Sequence, residues 1–589
     1  MNYPIWELPA PGLLIAAVAI VHVFISHFAV GGGLFLVMAE RKARGEGDEA
    51  LLAFVRSLSR FFVLLTLVLG ALTGVGIWFT IGLVQPQATS ALVTAFVWGW
   101  AIEWTFFAVE IAAAMVYYYG WDRLDARTHV RVGWIYFVSA WASLAVISGI
   151  LSFMATSGEW PATWSFADGF FNPTYWPTVA LRTALAVGLA GLYALFAASL
   201  VRDAALKSRV ARWSVFRWIV PAAVLIPLTL LWFLSNAVDA GVAVAETLGA
   251  GGGEAGALLG ALFTAAPGGH PIVRHAAQLT VVAAILLVLG ALLLAGLRAR
   301  TYTRLEAGLL MVLGFVSMGG SEWVREGLRK PWVVDRYMFV NSVRLPASAG
   351  GATLEDPFSV EALEARGILA TARFTRVPAE YRPETPAFEE LDPVERAEIL
   401  AAAGREIFRL ECAACHTEGG HLGIRRLVGG QGVAALEATL DSLAQPVTAD
   451  GEPTTWSDPG VRVTTRLGRR MPPFVGTDAE KHALAVHLAR LGGDAEAGVA
   501  AAAAAGADPG AEAFEVHCAA CHGTDSPWPM ADRLGGRSVD EFYDLLGRLD
   551  EVQEEMPPFA GTEEERAALA AHLAGLAAAA SASEEEVSS

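Results

Sequence analysis

Cys412-Ala413-Ala414-Cys415-His416 recurs further along the chain as Cys518-Ala519-Ala520-Cys521-His522. Cys-x-x-Cys-His sets two thiols one helical turn apart, in reach of the two vinyl groups of a haem. The adjacent histidine then meets the iron from the proximal side. Both copies read as covalent c-type haem sites. These four cysteines are the only four in the chain, so none is left for a structural disulfide. A zinc site or a redox dithiol is the other use of Cys-x-x-Cys, but a histidine directly after it in both copies points to haem.

Each copy is followed by the same phrase, Met471-Pro472-Pro473-Phe474-Val475-Gly476-Thr477 in one and Met556-Pro557-Pro558-Phe559-Ala560-Gly561-Thr562 in the other. Each phrase runs into a polar helix ending in His-Leu-Ala. This is an internal repeat, each unit a haem domain. A methionine on a proline-rich loop suits the sixth iron position, because a thioether is a soft ligand that favours ferrous iron. The expected axial pairs are His416 with Met471 and His522 with Met556. The alternatives are that the methionines only pack, with His421, His482 or His487 ligating in the first unit and His517 or His572 in the second. On these motifs the last third of the chain resembles the class I cytochrome c family, which implies a small helical fold around each haem and a role in electron transfer.

Of the 589 residues, 54% are hydrophobic and only 17% charged, too apolar for an ordinary soluble protein. The apolarity is confined to the first half. Residues 11–39, 54–83, 92–119, 132–155, 176–200, 217–245, 272–297 and 305–324 are each long and uncharged enough to cross a bilayer as a helix. The expected fold is therefore all-α: a bundle of about eight spans, then two small cytochrome c domains. Basic residues follow spans 1, 3, 5 and 7 (Arg41, Lys42 and Arg44; Arg123, Arg127 and Arg131; five between Arg202 and Arg217; Arg298, Arg300 and Arg304), and none follows spans 2, 4 and 6. That alternation places the N-terminus and everything after span 8 on the outer side. The expected location is the bacterial cytoplasmic membrane, with the haem domains facing the periplasm, where c-type haems are attached. The first ten residues lack a basic n-region and the first apolar run is full length, so span 1 reads as an uncleaved anchor. The net charge of -18 gathers in the exported half and argues against nucleic acid or anionic lipid as partners.

Composition divides the chain into a membrane domain (1–345), a Pro- and Glu-containing connector (346–400), a first haem domain (401–492), an Ala/Gly linker (493–510), a second haem domain (511–577) and a tail (578–589) with the composition of disorder. The linker either lets the second domain swing or forms a rigid helix.

Ionisable side chains inside spans mark functional sites, since burying them is costly unless they meet a cofactor, a partner or water. Span 1 carries His22 and His27, about 500° of helix rotation apart, so they face directions roughly 140° apart and cannot serve one iron from one side. One is expected to ligate a haem and the other to pack or hydrogen-bond. Gly31-Gly32-Gly33 follows, where a neighbouring helix or a flat macrocycle can approach closely. Span 3 carries Glu103 and Glu110, about 700° apart and so on one face, about 10 Å from each other. They suggest a proton route or a haem-facing pair, with satisfied interhelical hydrogen bonding as the alternative. At the end of span 8, Arg325, Arg329 and Lys330 lie on the outer face, against the trend of the other loops. They either hold haem propionates or snorkel.

The His22 helix, Ala101-Ile102-Glu103, Gly120-Trp121-Asp122-Arg123-Leu124 and Arg329-Lys330-Pro331-Trp332 together resemble subunit I of the cytochrome bd quinol oxidases, over about residues 8–340. The resemblance implies non-covalent b- or d-type haem, with His22 as axial ligand of the oxygen-site haem and Glu103 and Glu110 as acids of its proton path, one residue closer together than in the family. It also implies a second membrane subunit. The departures lie on the quinol side. The family's histidine near the start of span 5 falls in Trp176-Pro177-Thr178-Val179, and span 7 lacks the expected methionine. His275 or His270 are the substitutes, and the quinol loop after span 6 is reduced to a short Gly-rich segment. The family's other haem-ligating glutamate has no aligned counterpart, Glu322 being nearest, and its ninth span gives way to the haem domains.

Three functions follow. In the first, c-type haems take electrons from a soluble periplasmic cytochrome or other redox protein and pass them to a membrane haem that reduces oxygen. In the second, the membrane domain oxidises quinol from the quinone pool and sends electrons outward through the c haems. In the third, the chain is an electron wire with no catalytic site of its own. Loss of the quinol-side features favours the first.

Overall fold

The computed structural model describes the chain from Tyr3 to Val587 apart from 238–270 and a set of shorter stretches, the longest being 465–470, 498–508, 523–529, 531–536 and 550–555. Two compact units result, Leu13–Phe339 with Ala347–Leu354, and Met1–Gly12 with Val340–Pro346 and Glu355–Ser589. Helix dominates both. Among the described residues the only sheets are three two-stranded antiparallel pairs.

Among the described residues, the first unit has eight helices long and apolar enough to cross a membrane. They are α1 (Pro11–Glu46), α2 (Glu49–Val84), α3 (Val97–Tyr119), α4 (Ala126–Phe153), α5 (Tyr175–Ser199), α6 (Ala204–Asn236), α7 (Val273–Gly296) and α8 (Arg304–Arg329). Polar caps outside the apolar runs set their starts. The Asp125 carboxylate takes the N–H groups of Arg127 and Thr128, Asp203 takes that of Ala205, and Thr303 forms a capping box with Glu306. The glycine run of α1 turns out to serve helix packing on three sides. A Cβ on Gly31 would stand 1.9 Å from the Ala186 carbonyl oxygen of α5, one on Gly32 would strike Phe62 of α2, and one on Gly33 would stand 2.3 Å from the Tyr136 ring of α4. Around it lies the core of the unit, with Phe28 and Tyr193 stacked at 3.8 Å. A π-helical turn, Leu64–Gly70, interrupts α2 just before the part that faces His22.

In the second unit the two haem domains share one plan. α9 (Pro393–Ile407) crosses α11 (Asp478–Leu491) at Gly404, where a Cβ would meet the Ala483 carbonyl oxygen at 1.9 Å. In the repeat, α12 (Pro509–His517) crosses the last helix at Gly510, where the Ala568 carbonyl oxygen lies at 2.2 Å. Only glycine permits that backbone contact, and it stands at the same distance before both cysteine motifs. Helix α10 (Val433–Asp441) of the first domain packs on α12 and Ala519–His522 of the second, and the Gly432 N–H donates to Glu515 at 3.0 Å. The second domain closes with α13 (Val539–Leu546) and α14 (Glu563–Val587), which extends past the domain boundary expected from composition. The Ala/Gly linker lies largely outside the described residues.

Connector residues Ile368, Leu369 and Phe388 share the core of the first haem domain with Ile407, Leu436 and Leu484. The Glu480 carboxylate caps the short helix at Ile368–Thr371, taking the N–H groups of Ile368 and Leu369 at 2.8 Å each. The segment before α1 belongs to this unit too. Arg409, buried with Glu406, donates to the Ile5 carbonyl at 2.7 Å, and Arg376 pairs with Glu7 at 3.1 Å.

Candidate functional site: haem motifs and a polar ladder in the membrane

In the first haem domain a π-helical turn, Phe408–Cys412, delivers the chain into Cys412-Ala413-Ala414-Cys415-His416. Both cysteines are unpaired thiols, and burial pushes the Cys412 thiol far up, so it stays uncharged. The Nδ1–H of His416 donates to the Leu422 carbonyl at 3.1 Å, which orients the ring. Met471 and Phe474 pack on the domain core with Cys412. Of the other histidines, His482 pairs with Glu437 at 2.7 Å, while His487 is buried beside Phe408 with its Nε2 facing Glu418 at 3.7 Å. Just before Cys412, Glu411 is buried, and burial together with the charge of Glu480 holds its carboxyl well above the usual carboxylate range.

The second motif is alike in outline. Cys518 is buried with its thiol pushed up to about 12, Cys521 is exposed, and Met556 is half-buried. His517, in the position of Glu411, packs its ring on Phe559 at 4.8 Å and faces Glu565 at 3.9 Å.

In the membrane unit, His22 stands against α2. The Thr73 hydroxyl spends its own hydrogen on the Leu69 carbonyl at 2.7 Å, so it accepts from His22 Nδ1–H at 3.1 Å. The Nε2 lone pair of His22 is thereby left to coordinate. His27 differs, since its Nδ1–H bonds back to the Val23 carbonyl at 2.8 Å and its buried Nε2 has no partner. His275 is exposed on α7, and His270 lies outside the described residues.

Glu103 and Glu110 share one face of α3, and the structure supplies what they face. Glu103 accepts from Ser143 at 2.9 Å and Glu110 from Tyr136 at 3.0 Å, both on α4. One further step of seven brings Tyr117 opposite His129, whose Nε2–H donates to the Tyr117 carbonyl at 2.9 Å. Residues 103, 110 and 117 thus meet 143, 136 and 129, three levels about 10 Å apart along antiparallel helices. The last level ends in a buried cluster with α1. Glu40 takes His129 Nδ1–H at 2.8 Å, the Tyr117 hydroxyl at 2.8 Å and Arg44 Nε–H at 2.7 Å. Both His129 nitrogens thus face acceptors. A small cavity with apolar lining separates the second and third levels, between Tyr136 and Tyr117.

At the end of α8, Glu322 pairs with Arg325 at 2.9 Å, whereas Glu326 pairs with both Arg325 at 3.0 Å and Arg329 at 2.6 Å. Arg329 also donates to the Val333 carbonyl, and its buried Nε is unpartnered. On α5, half-buried Arg182 reaches Ser148 at 3.4 Å. Sequence reasoning missed Glu326, Arg182 and the α4 side of the ladder. The signal for Glu326 was its three-residue spacing from Arg329, and that for the ladder was the matching sevenfold spacing of 129, 136 and 143.

Residues 13–237 match the family of cytochrome bd terminal oxidase subunit I, and residues 400–488 and 505–573 match cytochrome c oxidase, cbb3-type, subunit III. The chain therefore carries a cytochrome bd subunit I-type membrane domain followed by two cytochrome c domains. It is a multi-pass membrane protein of respiratory electron transfer that uses haem. Among solved structures, the bd oxidase from Geobacillus thermodenitrificans is similar at 18% identity and a TM-score of 0.46, over 56% of this chain and 89% of that one. No curated protein matches.

The residues present fit haem. His22 offers Nε2 with Nδ1–H already held, His416 follows its two cysteines with its Nδ1–H on Leu422, and the four thiols are unpaired.

Proposed function

We propose that the chain takes electrons from a soluble periplasmic redox protein at its c-type haem domains and passes them to a membrane haem on His22, where oxygen is reduced. Cys412 and Cys415 with His416 and Met471, and Cys518 and Cys521 with His522 and Met556, hold the two covalent haems. When bound, the non-covalent b- or d-type haem supplies the iron at which oxygen is reduced. Arg182, Arg329 and Lys330 are the cations suited to its carboxylates, and Glu326, held by two arginines, is a better-placed acid than Glu322. The haem domains face the periplasm and a second membrane subunit completes the assembly.

The observation that carries this reading is the ladder. Oxygen reduction at a site within the membrane consumes protons, and the ladder runs inward from Glu103 to the end of α1 that carries Arg41, Lys42 and Arg44. His129 holds a proton against Glu40 at that end. At the middle level the Tyr136 hydroxyl bridges Glu110 and the Ala29 carbonyl, both at 3.0 Å, and Ser143 is the donor to Glu103. A quinol dehydrogenase discharging electrons outward has no use for inward-opening acids. A reduced-minus-oxidised spectrum with pyridine haemochrome quantitation, repeated under carbon monoxide, tests the proposal. Two c haems and a membrane haem that shifts with carbon monoxide are expected, with oxygen uptake on a reduced soluble cytochrome. A membrane haem inert to carbon monoxide, with quinol reducing the c haems, would replace this reading by the dehydrogenase. No membrane haem at all would leave an electron wire.

A further inference from the structure

Asn341 is buried inside the first haem unit, 3% exposed, although it comes from the segment that leads into the connector. Its Nδ2 donates one hydrogen to Glu411 Oε2 at 3.1 Å and the other to the Pro473 carbonyl at 3.1 Å. Its Oδ1 accepts from the Val343 N–H at 3.4 Å. Glu411 immediately precedes Cys412, and Pro473 lies two residues after Met471. One side-chain amide therefore ties the haem-attachment turn to the methionine loop, across sequence separations of 70 and 132 residues. The loop has one further tie at this point, the Val475 N–H, which also hydrogen-bonds to Glu411. Pro472 and Pro473 lack N–H groups, so neither can donate a backbone hydrogen bond, and the carbonyl between them and Phe474 must find its donor elsewhere.

We propose that Asn341 is a positioning residue for the first c-type haem, a latch that holds the Met471 loop closed on the Cys412 turn and so keeps Met471 on the iron. This rests on the reading of Met471 as the sixth ligand. The second repeat supplies the contrast. There the position of Glu411 is taken by His517 and that of Glu480 by Glu565, and the pair lie 3.9 Å apart with the His517 ring against Phe559 of the methionine phrase. Both of those residues belong to the haem domain itself. The first repeat places two acids, Glu411 and Glu480, where the second has an imidazole and an acid. A neutral donor brought in from outside the domain satisfies the first arrangement. Methionine ligation of the first haem alone is thus made to depend on the segment that leads into the connector.

The test uses the purified full-length chain with both c haems attached. In the ferric state, methionine ligation gives a weak near-red charge-transfer band, and added imidazole competes for the sixth position. In Asn341→Ala the two latch hydrogen bonds are lost, and the first haem is expected to bind imidazole about tenfold more tightly. The near-red band should weaken while the second haem is unchanged and serves as internal reference. Asn341→Asp, which sets a carboxylate against two acceptors, should act more strongly. Asn341→Ser, which keeps one donor, should fall between Ala and the parent. Met471→Ala run in parallel separates the two readings. If it leaves the band intact, Met471 is not the ligand. If it removes the first haem's share of the band while the three Asn341 variants keep parental band and imidazole affinity, the latch is wrong. Equal loss of both haems in the Asn341 variants would make the residue a general folding element and also overturn the proposal.

Discussion

Replacing Glu40 by glutamine tests the inner end of the ladder without changing its volume. The carboxylate accepts from three side chains, His129, Tyr117 and Arg44, at 2.7 to 2.8 Å, and is fully buried. A glutamine can keep its oxygen toward Arg44 and His129, but its amide hydrogens then face the Tyr117 hydroxyl, which must turn to accept. The structural loss is one interhelical hydrogen bond and the charge opposite Arg44, about 1–2 kcal/mol in a membrane interior. The helix bundle should therefore survive with a modestly lowered melting temperature. Proton transfer should not survive in the same measure. The ionisable carboxyl between His129 and Tyr117 is gone, and removal of a positioned proton-transfer group reduces turnover by about 100-fold. Oxygen uptake with the c haems kept reduced by excess soluble donor reads that loss, and stopped-flow reduction of the c haems by the same donor should be unaltered. Turnover within a factor of two of the parent across the pH range would refute inward proton supply through this cluster. Equal slowing of c-haem reduction would show damage outside the ladder.

Gly33→Ala should push the Tyr136 ring, which a Cβ would approach to 2.3 Å, away from Glu110; turnover should fall while Gly45→Ala, where a Cβ meets nothing, leaves it unchanged. Arg182→Leu should lower membrane-haem content at constant c-haem content, measured by pyridine haemochrome, and parental membrane-haem occupancy would count against its role. Asp48, the N-cap of α2, is held below its ordinary value by the Leu51 N–H and by Arg209. A depressed carboxyl contributes stability above its unfolded value that is lost as pH falls through the folded one. Asp48→Asn should therefore lower the melting temperature at neutral pH and flatten its fall below pH about 4.

The sequence made some of this visible and hid the rest for definite reasons. The haem motifs are local, since Cys412 to His416 carry their chemistry within one turn of helix, and span boundaries follow from hydropathy alone. Glu103 and Glu110 could be placed on one face from helical geometry. Their partners could not, because which helix lies against α3 is a packing result, decided by contacts such as Gly33 on Tyr136. Glu322 drew attention as the nearest acid to a family position, yet a side chain in reach of Arg329 along the helix has to stand three or four residues before it, and Glu326 does. Asn341 had no local signal at all. Its meaning lies in two acceptors far along the chain that only folding brings to it.

The contact between Ile5 and Arg409 spans 404 residues, and it orders events during biogenesis. The segment around Ile5 and Glu7 is made before the spans, yet its partners Arg376, Arg405 and Arg409 are made only after the last span has been threaded. The first haem domain can complete its surface only by returning to a stretch that precedes every span. Substitutions around Ile5 and Glu7 would therefore disturb cytochrome maturation as well as membrane insertion.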